Sequence, residues 1–354
     1  SYVGQNVTGW TDPSTTPLDS PFVYVTEASY WEITRLASRA DLDYMLPEDC
    51  FLTVMSEKAN DDAVGYGLWT KLHADPDYEL YNGTGHCPIA YLSADVGYAD
   101  TTIPFDSSTA IDVDSFGEDG YAYVAKQDGT YEMIHVTSVS ASSLTCIRAI
   151  GDTTPSALLT GARIIFADGF EATDDITYMP TEQVDVKIRT RTGLGTLPEG
   201  SATARSYTFA GRQAKPYPPG NLRIGGNYNA TYFVGDFLAE WSHRDRLQQT
   251  ASVPTSQTAG DIGPEAGVTY NWWLKDRLGT TIKSGTGLAG TSYTVTMASE
   301  GSSTSGGFGG RNGRVTFEIE AETIAGGKSW QKQKFTLDRA GYGLNYGLYY
   351  GAGV

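Results

Sequence analysis

The segment His243-Arg244-Asp245 is the closest approach of this chain to a known catalytic motif. It has the order of a kinase catalytic loop, in which an Asn five residues after the Asp helps to hold a metal ion. That position is Thr250 here, and the chain also lacks a D-F-G triplet. A kinase is therefore excluded. We expect Asp245 to tie down a strand end through Arg244 or Arg246.

Metal-binding patterns are incomplete as well. Asp112 and Asp114 have the spacing of a calcium loop, but the fifth and twelfth positions of that loop are Phe116 and Tyr123, which offer no carboxylate or amide ligand. A zinc site needs four close ligands. This chain instead spreads its cysteines and histidines widely: Cys50, Cys87, Cys146, His73, His86, His135 and His243. The sequence predicts no metal, no cofactor, and reduced cysteines with a structural role.

Paired carboxylates are the remaining candidates for catalysis. Glu318 with Glu320, or Asp174 with Asp175, could in principle supply the two acids of a glycosidase. Such pairs are weak evidence in a chain with 42 acidic residues, and no G-x-S-x-G nucleophile elbow occurs. We therefore predict no catalytic residue and a protein that is not an enzyme. A cell-envelope hydrolase stays an open alternative.

The composition indicates a folded, acidic, β-rich protein. The chain has 354 residues, 40% of them hydrophobic and 19% charged, with 41 Gly and 23 Tyr. Its formal net charge of −17 disfavours binding to nucleic acid or to anionic lipid. No apolar run reaches the roughly 20 residues that a membrane span requires. Because the first residue is Ser1, we expect a processed chain or a piece of a longer one.

Alternating apolar residues predict many short strands and one helix. The helix is predicted from Thr26, as its N-cap, to Arg39, and Asn82-Gly83 is predicted as a turn. Trp241, Trp330 and one of the pair Trp272 and Trp273 are the expected core aromatics of a sandwich near immunoglobulin size. The predicted fold class is mainly β and multidomain, with a small β-barrel-like unit, a sandwich, and one helix near the N-terminus.

Composition shifts divide the chain into five predicted segments. They are a mixed α+β segment (1–87), a small acidic β domain (88–170), extended strands that continue the first segment (171–215), a sandwich (216–338) and a Gly/Tyr-rich arm (339–354). Residues 88–175 contain 14 acidic and 3 basic residues, so they carry −11 of the net charge. A proline-rich joint, 216–220, precedes the sandwich.

Eight residues are candidates for an interaction surface. Lys187, Arg189 and Arg191 alternate along one predicted strand, so one face of that strand is basic. That face is either simply solvated or the contact for an acidic neighbour. Trp272 and Trp273 are adjacent in a strand, so one of them must face solvent or a partner. The remaining candidates each precede a glycine in the C-terminal arm, which could order against another subunit: Tyr342, Tyr346 and Tyr350.

One set of segments can be compared with a known family: 182–198, 209–212, 215–222, 241–247, 21–28, 39–42 and the closing G-Y-G-x-x-Y-G pattern at 341–347. Together these segments resemble the C-terminal part of tail-tip or baseplate-hub proteins of long-tailed, siphophage-type bacteriophages. No active-site motif takes part in the resemblance.

The resemblance implies a structural component of the virion tail tip. Proteins of this kind are modular and threefold, and their C-terminal modules are often fibronectin type III-like sandwiches. The implied partners are two further copies of the chain in a homotrimer, other phage tail proteins, and a host surface receptor. The implied role is virion assembly and host attachment in the phage tail, after synthesis in the bacterial cytoplasm. The alternative is a receptor-binding module that recognises a host surface glycan or protein.

Overall fold

The structure, a computed structural model, describes residues 17–36, 46, 48–106, 120–167, 169–174, 176–297 and 313–340. These residues form one α-helix and 22 β-strands, which confirms the mainly β fold class. In chain order the elements are β1 (Val23–Glu27), α1 (Tyr30–Leu36), β2 (Leu52–Ser56), β3 (Ala63–Leu72), β4 (Glu79–Thr84), β5 (Ile89–Leu92), β6 (Thr102–Asp106), β7 (Tyr121–Ala125), β8 (Tyr131–Val139), β9 (Ser143–Ile147), β10 (Arg163–Phe166), β11 (Ala172–Thr173), β12 (Gln183–Thr192), β13 (Gly195–Thr196), β14 (Ala204–Thr208), β15 (Gly220–Ile224), β16 (Tyr232–Phe233), β17 (Phe237–Ser242), β18 (Val268–Asp276), β19 (Thr281–Leu288), β20 (Ser292–Val295), β21 (Arg314–Thr323) and β22 (Gln333–Arg339).

The chain forms two compact units, and each contains segments that are far apart in sequence. Unit 1 contains Ser1–Glu27, Cys50–Pro88 and Ala167–Ala210. Unit 2 contains Ala28–Asp49, Ile89–Phe166 and Gly211–Val354. The boundaries of the five predicted segments stay a prediction.

Unit 1 consists of two antiparallel sheets around one core. One sheet has the strand order β1-β2-β11, and the other has the order β13-β12-β3-β4, with β14 also paired to β12. Side-chain orientation alternates along β3 and β12, so that every second side chain points into the core. The core that both sheets share includes Leu52, Val54, Tyr66, Leu68, Val184, Val186, Ile188 and Phe209.

Unit 2 contains a closed six-stranded barrel with the strand order β10-β5-β6-β9-β8-β7. The small barrel-like unit predicted from the sequence is therefore confirmed. A turn at residues 127–130 joins β7 to β8, and there the N–H of Lys126 donates to the carbonyl of Thr130 at 2.8 Å. Closure leaves the strands of this small barrel without a free edge.

The second part of unit 2 is a sandwich of a three-stranded sheet, β15-β17-β20, and a five-stranded sheet, β16-β22-β21-β18-β19. If the two-residue β16 is left out, the sandwich has seven strands in chain order. The first, second and fifth of them (β15, β17 and β20) form one sheet, and the other four form the second sheet. This is the strand order of a fibronectin type III-like domain, so that prediction is confirmed. Trp241 and Trp272 are 2% exposed in its core. Trp330 is only half-buried, and the prediction that it belongs to the core was wrong.

The helix begins later than predicted. Thr26 lies in β1, and the N-cap of α1 is Ser29. The side-chain oxygen of Ser29 accepts the N–H of Glu32 at 3.3 Å, while the Glu32 carboxylate accepts the N–H of Ser29 at 2.7 Å. This reciprocal pair is a capping box, and it outcompetes Thr26 because both orphan donors find acceptors. Residues 37–45, which would include the predicted end at Arg39, lie outside the described residues.

Two buried arginines hold unit 2 together. Arg148 donates from Nε and Nη2 to both oxygens of Glu132, at 2.5 and 2.8 Å, and from Nη1 to the carbonyls of Gly97 and Asp100. Arg212 donates to Asp152 at 2.7 and 2.9 Å. Burial lowers the pKa of Arg212, but Asp152 and Glu32 outweigh that effect and raise it. Buried ion pairs persist when each charge is paired and hydrogen-bonded, as here.

Candidate binding surface

The catalytic-loop-like segment at 243–245 has a structural role. Arg244 donates to the carbonyls of Gln257, Ala259 and Gly260, at 2.9 to 3.1 Å. Asp245 accepts the N–H of Leu247 at 2.9 Å and so caps the turn that follows. The prediction that Asp245 pairs with Arg244 or Arg246 was wrong, because Arg246 binds Glu265 at 2.9 Å instead. These groups fasten loops to the sandwich.

No group of three or more Cys, His, Asp and Glu side chains among the described residues could hold a metal ion. Cys50, Cys87 and Cys146 are buried and form no disulfide. Burial raises the pKa of Cys146 to about 12 and that of Cys87 further still. Both thiols therefore stay protonated near neutral pH, which makes them poor nucleophiles.

The basic residues of β12 lie on the outer face of the larger sheet of unit 1. Lys187, Arg189 and Arg191 alternate with Ile188 and Thr190, which are buried. The register places Arg189 opposite Gly67 of β3 and Lys187 opposite Trp69. We call this surface the basic face. The sequence identified its three cations but not the residues beside them.

Two of these cations lie over aromatic rings. The guanidinium carbon of Arg189 is 4.4 Å from the ring centre of Trp69. The ammonium of Lys187 is 4.4 Å from the ring centre of Tyr78 and forms an ion pair with Glu199 at 3.3 Å. Cation–π contacts of this kind stabilise exposed sites by about 0.5–1 kcal/mol. They also fix where the charges lie on the sheet.

Glycines form the floor beneath Arg191. Gly83 of β4 lies opposite Gly67 of β3, which in turn lies opposite Arg189 of β12. A Cβ atom at Gly65 or at Gly83 would lie 3.3 Å from Nη2 of Arg191. The guanidinium therefore occupies space that larger residues would fill.

The predicted turn at Asn82-Gly83 was wrong, because both residues lie within strand β4.

These residues line a groove of about 460 Å³ on the basic face. Its walls come from four strands of one sheet, and it is lined by Gly67, Trp69, Leu80, Tyr81, Asn82, Gly83, Arg189, Arg191 and Thr196. Cavities of this size suit small ligands. None of the described residues that line it is acidic. We call this feature the groove.

Asp185 is the carboxylate of β12 that shares the basic face, and it does not line the groove. Its oxygens accept a hydrogen bond from Ser206 at 2.6 Å and lie 3.0 Å from Nδ1 of His73 and 3.5 Å from Nζ of Lys71. Burial raises the pKa of Asp185, but Ser206, His73 and Lys71 outweigh burial and lower it. The acid is thus satisfied by its own neighbours.

The two adjacent tryptophans of β18 point in opposite directions, as predicted. Trp272 is buried in the sandwich core, where its Nε1 would lie 2.4 Å from a Cβ at Gly285. It offers no exposed surface, which corrects its place among the candidate surface residues. Trp273 is half-buried on the outer face, and the ammonium of Lys332 lies 3.9 Å from its ring centre. One face of Trp273 is therefore already covered.

The remaining candidates, Tyr342, Tyr346 and Tyr350, lie outside the described residues. Sequence reasoning missed Trp69 and the glycine floor. The available signal was the alternation Gly67, Trp69, Lys71, which has the same two-residue period as the cations of β12. Only the strand register shows that the two sets meet.

Comparison with known proteins gives no family for this chain. No protein-family model and no curated protein matches it. Within the described residues, no helix is long and apolar enough to cross a membrane.

The solved structures that match are weakly similar. A biofilm-associated protein BSP domain has a TM-score of 0.19 and 10% identity over 72% of this chain, which spans only 30% of that chain. The chicken CNTN1 FN1-FN3 domains have a TM-score of 0.20 and 9% identity, covering 92% of this chain and 100% of that one. The phage phi92 endosialidase has a TM-score of 0.16 and 9% identity, covering 83% and 47%. Similarity this low carries no argument for a shared function.

Proposed function

We propose that this chain is a structural component of a bacteriophage tail tip, in the baseplate-hub region, and works without catalysis through protein–protein contacts. In this role it forms a homotrimer in the virion, contacts other tail proteins and contributes to host attachment. The proposal starts from the sequence resemblance described above. It agrees with a modular β architecture of barrel and sandwich.

The observation that carries the proposal is the contrast between saturated and open polar groups. The buried ions of unit 2, such as Arg148 with Glu132, are paired and tie loops to the barrel. On the basic face of unit 1, by contrast, Arg191 is exposed and makes no ion pair with any described residue, on a chain of net charge −17. An open basic surface on an acidic protein is what electrostatic docking between subunits requires.

The decisive experiment is a cryo-EM reconstruction of the tail tip of the source particle. We expect three copies of the chain around the tail axis, with the basic face against an acidic neighbour. Charge reversal by Arg191→Glu should reduce incorporation into particles, while Lys58→Glu, elsewhere on unit 1, should not. Absence of the chain from the tail tip, or a strictly monomeric chain within the intact tail, would contradict the proposal.

A second candidate function is recognition of a host surface glycan or protein. The groove favours it, because a concave site with side chains open to solvent is not required for subunit packing. Saturable binding of the purified chain to receptor-bearing cells is the expected result. Equal binding to cells stripped of surface glycans and proteins would count against recognition.

A further inference from the structure

The groove concentrates positive charge in an otherwise acidic protein. Both Arg189 and Arg191 line it, and none of the described lining residues carries a carboxylate. The chain as a whole has 42 acidic and 25 basic residues, so two arginines without an acidic neighbour depart from its general composition. Such a site attracts anions.

Arg189 is held in place by its surroundings. Its Nε donates to the carbonyl of Leu197 at 2.8 Å, and its guanidinium carbon lies over Trp69, 4.4 Å from the ring centre. Neither of its terminal nitrogens makes a hydrogen bond with a described residue. A fixed guanidinium fork with free N–H groups is organised in advance for a bidentate oxyanion.

Arg191 is the second donor group. Its guanidinium makes no ion pair or hydrogen bond within the part of the chain that the structure describes, and it lies beside Gly65 and Gly83. The glycines hold this arrangement open, since a Cβ at Gly83 would also lie 3.1 Å from the carbonyl oxygen of Tyr66. The groove is thus a cradle with two cationic forks.

Uncharged polar groups complete the lining. The Thr196 hydroxyl makes no hydrogen bond to any described residue. Asn82, in contrast, lies opposite the buried Leu68, and its amide donates to the carbonyl of Thr173 at 3.5 Å, so its side chain points away from the basic face. The indole N–H of Trp69 lies over Gly67 and has no acceptor among the described residues. Neutral hydrogen-bonding groups beside two cations match a ligand that combines hydroxyls with an oxyanion.

We propose that the groove binds a sugar that carries an oxyanion, either a carboxylate or a phosphate. Arg189 and Arg191 would hold the oxyanion, and the Thr196 hydroxyl and the indole N–H of Trp69 would bind ring hydroxyls. The inference rests on the second candidate function and names its ligand class. It does not depend on the role in tail assembly.

The shape of the groove favours a sugar over an acidic peptide. Peptides that add to a sheet pair with the backbone of an edge strand. The groove instead crosses the face of one sheet, from β4 over β3 and β12 to β13, where the backbone groups of the inner strands are already paired. A compact ligand of one or two sugar rings fits a space of about 460 Å³.

The test is isothermal titration calorimetry of the full chain with defined probes. Digalacturonate supplies carboxylates and glucose 6-phosphate supplies a phosphate, while the methyl ester of digalacturonate and glucose are the neutral controls. We expect one of the two anionic probes to bind and its neutral control not to bind. Arg191→Gln should weaken binding at least tenfold, since a charge-assisted bidentate contact is lost.

The matched control is Arg205→Gln. Arg205 belongs to the same unit, and its substitution removes the same charge as Arg191→Gln. Arg205 lies opposite Val186, whose side chain is buried, so it is on the other face of the sheet. Its variant should change affinity less than twofold. A second groove variant, Arg189→Gln, guards against misfolding of the first, and unchanged thermal melting shows that each variant is folded.

Three results would overturn the inference. The first is that neither anionic probe binds. The second is that Arg205→Gln weakens binding as much as Arg191→Gln does. The third is that hexaglutamate binds in the groove while neither sugar does. Saturable binding of the chain to host cells in the absence of sugar binding would preserve the recognition function and remove only the groove as its site.

Discussion

Two sheet faces of this protein place a tryptophan beneath cationic side chains, and they differ in what surrounds the cations. In unit 1, Arg189 covers Trp69. In the sandwich of unit 2, Lys332 covers Trp273, with Lys328 further away at 5.9 Å. The local motif is the same: an aromatic residue in one strand and a cation that lies across it.

The difference is the counter-ion. Lys332 and Lys328 both pair with Glu320, at 2.9 and 3.2 Å, and the Glu320 side chain is only 1% exposed. On the same face, Lys275 pairs with Glu318 at 2.7 Å. Around Trp69 no acid approaches Arg189 or Arg191 among the described residues.

A cation over an aromatic ring therefore does not by itself mark a binding site. Where an acid completes the cluster, the charges satisfy one another and the face is structural. Where the acid is missing, the same geometry leaves donors for a ligand. The counter-ion separates the two cases, and the following variants test that separation.

The largest loss of stability should come from replacing the tryptophan that points into the core of the sandwich. Trp272→Ala should lower the free energy of unfolding by about 3–5 kcal/mol, because a large buried ring leaves a cavity. Trp273→Ala, one residue away on the outer side, should cost about 1 kcal/mol through the lost cation contact. Urea unfolding followed by circular dichroism measures both. Equal losses would mean that Trp273 is part of the core.

Removing the counter-ion should have the next largest effect. Glu320→Gln leaves Lys328 and Lys332 without their acid, which should destabilise the sandwich by about 1–2 kcal/mol. This is below the usual cost of breaking a buried pair, because the two lysines are 53% and 35% exposed and can return to water. Hydrogen exchange should localise the loss to β18 and β21.

Arg191→Gln is the matched change on the other face. Because Arg191 has no partner to lose among the described residues, its variant should alter stability by no more than about 0.5 kcal/mol. A loss in this variant as large as that in Glu320→Gln would end the distinction between the two faces.

The strands, the sandwich and the opposite orientations of Trp272 and Trp273 follow from alternation, which is a local property of the sequence. The groove could not be predicted in this way. Arg189 of β12 meets Gly67 of β3 through a pairing of residues more than 120 positions apart. The pair Asn82-Gly83 by itself indicates a turn. Only the strand pairing shows that Gly83 leaves room for the guanidinium of Arg191. The prediction that Thr26 caps the helix was wrong for the same reason, because Thr26 lies in β1, which pairs with β2 further along the chain.

The platform beneath Arg189 should affect binding more than stability. Trp69→Leu keeps an apolar side chain but removes the ring on which the guanidinium rests, so Arg189 regains rotamer freedom. We expect about three- to tenfold weaker binding of the anionic sugar, since ordering one long side chain costs about 0.5–1.5 kcal/mol. Calorimetry with the bound probe measures the change. Trp273→Leu is the control and should leave the affinity unchanged.

The smallest effect should be the pH dependence that Asp185 gives to unit 1. Its pKa in the folded chain lies below its ordinary value, so the folded state holds its proton less tightly than the unfolded state does. Its contribution to stability is therefore present above about pH 4, the ordinary range of an Asp, and is lost as the pH falls through the lowered pKa.

Asp185→Asn removes this contribution at all pH values. The difference in stability between the natural chain and this variant should shrink as the pH falls below about 4 and through the lowered pKa of Asp185. His86 also titrates in unit 1, with a pKa that burial lowers to about 4, but it is present in both proteins and cancels in the comparison. A difference that does not shrink over this range would show that Asp185 acts through hydrogen bonds that need no charge. The hydroxyl of Ser206 would then hold Asp185 in place whatever the charge of its carboxyl group.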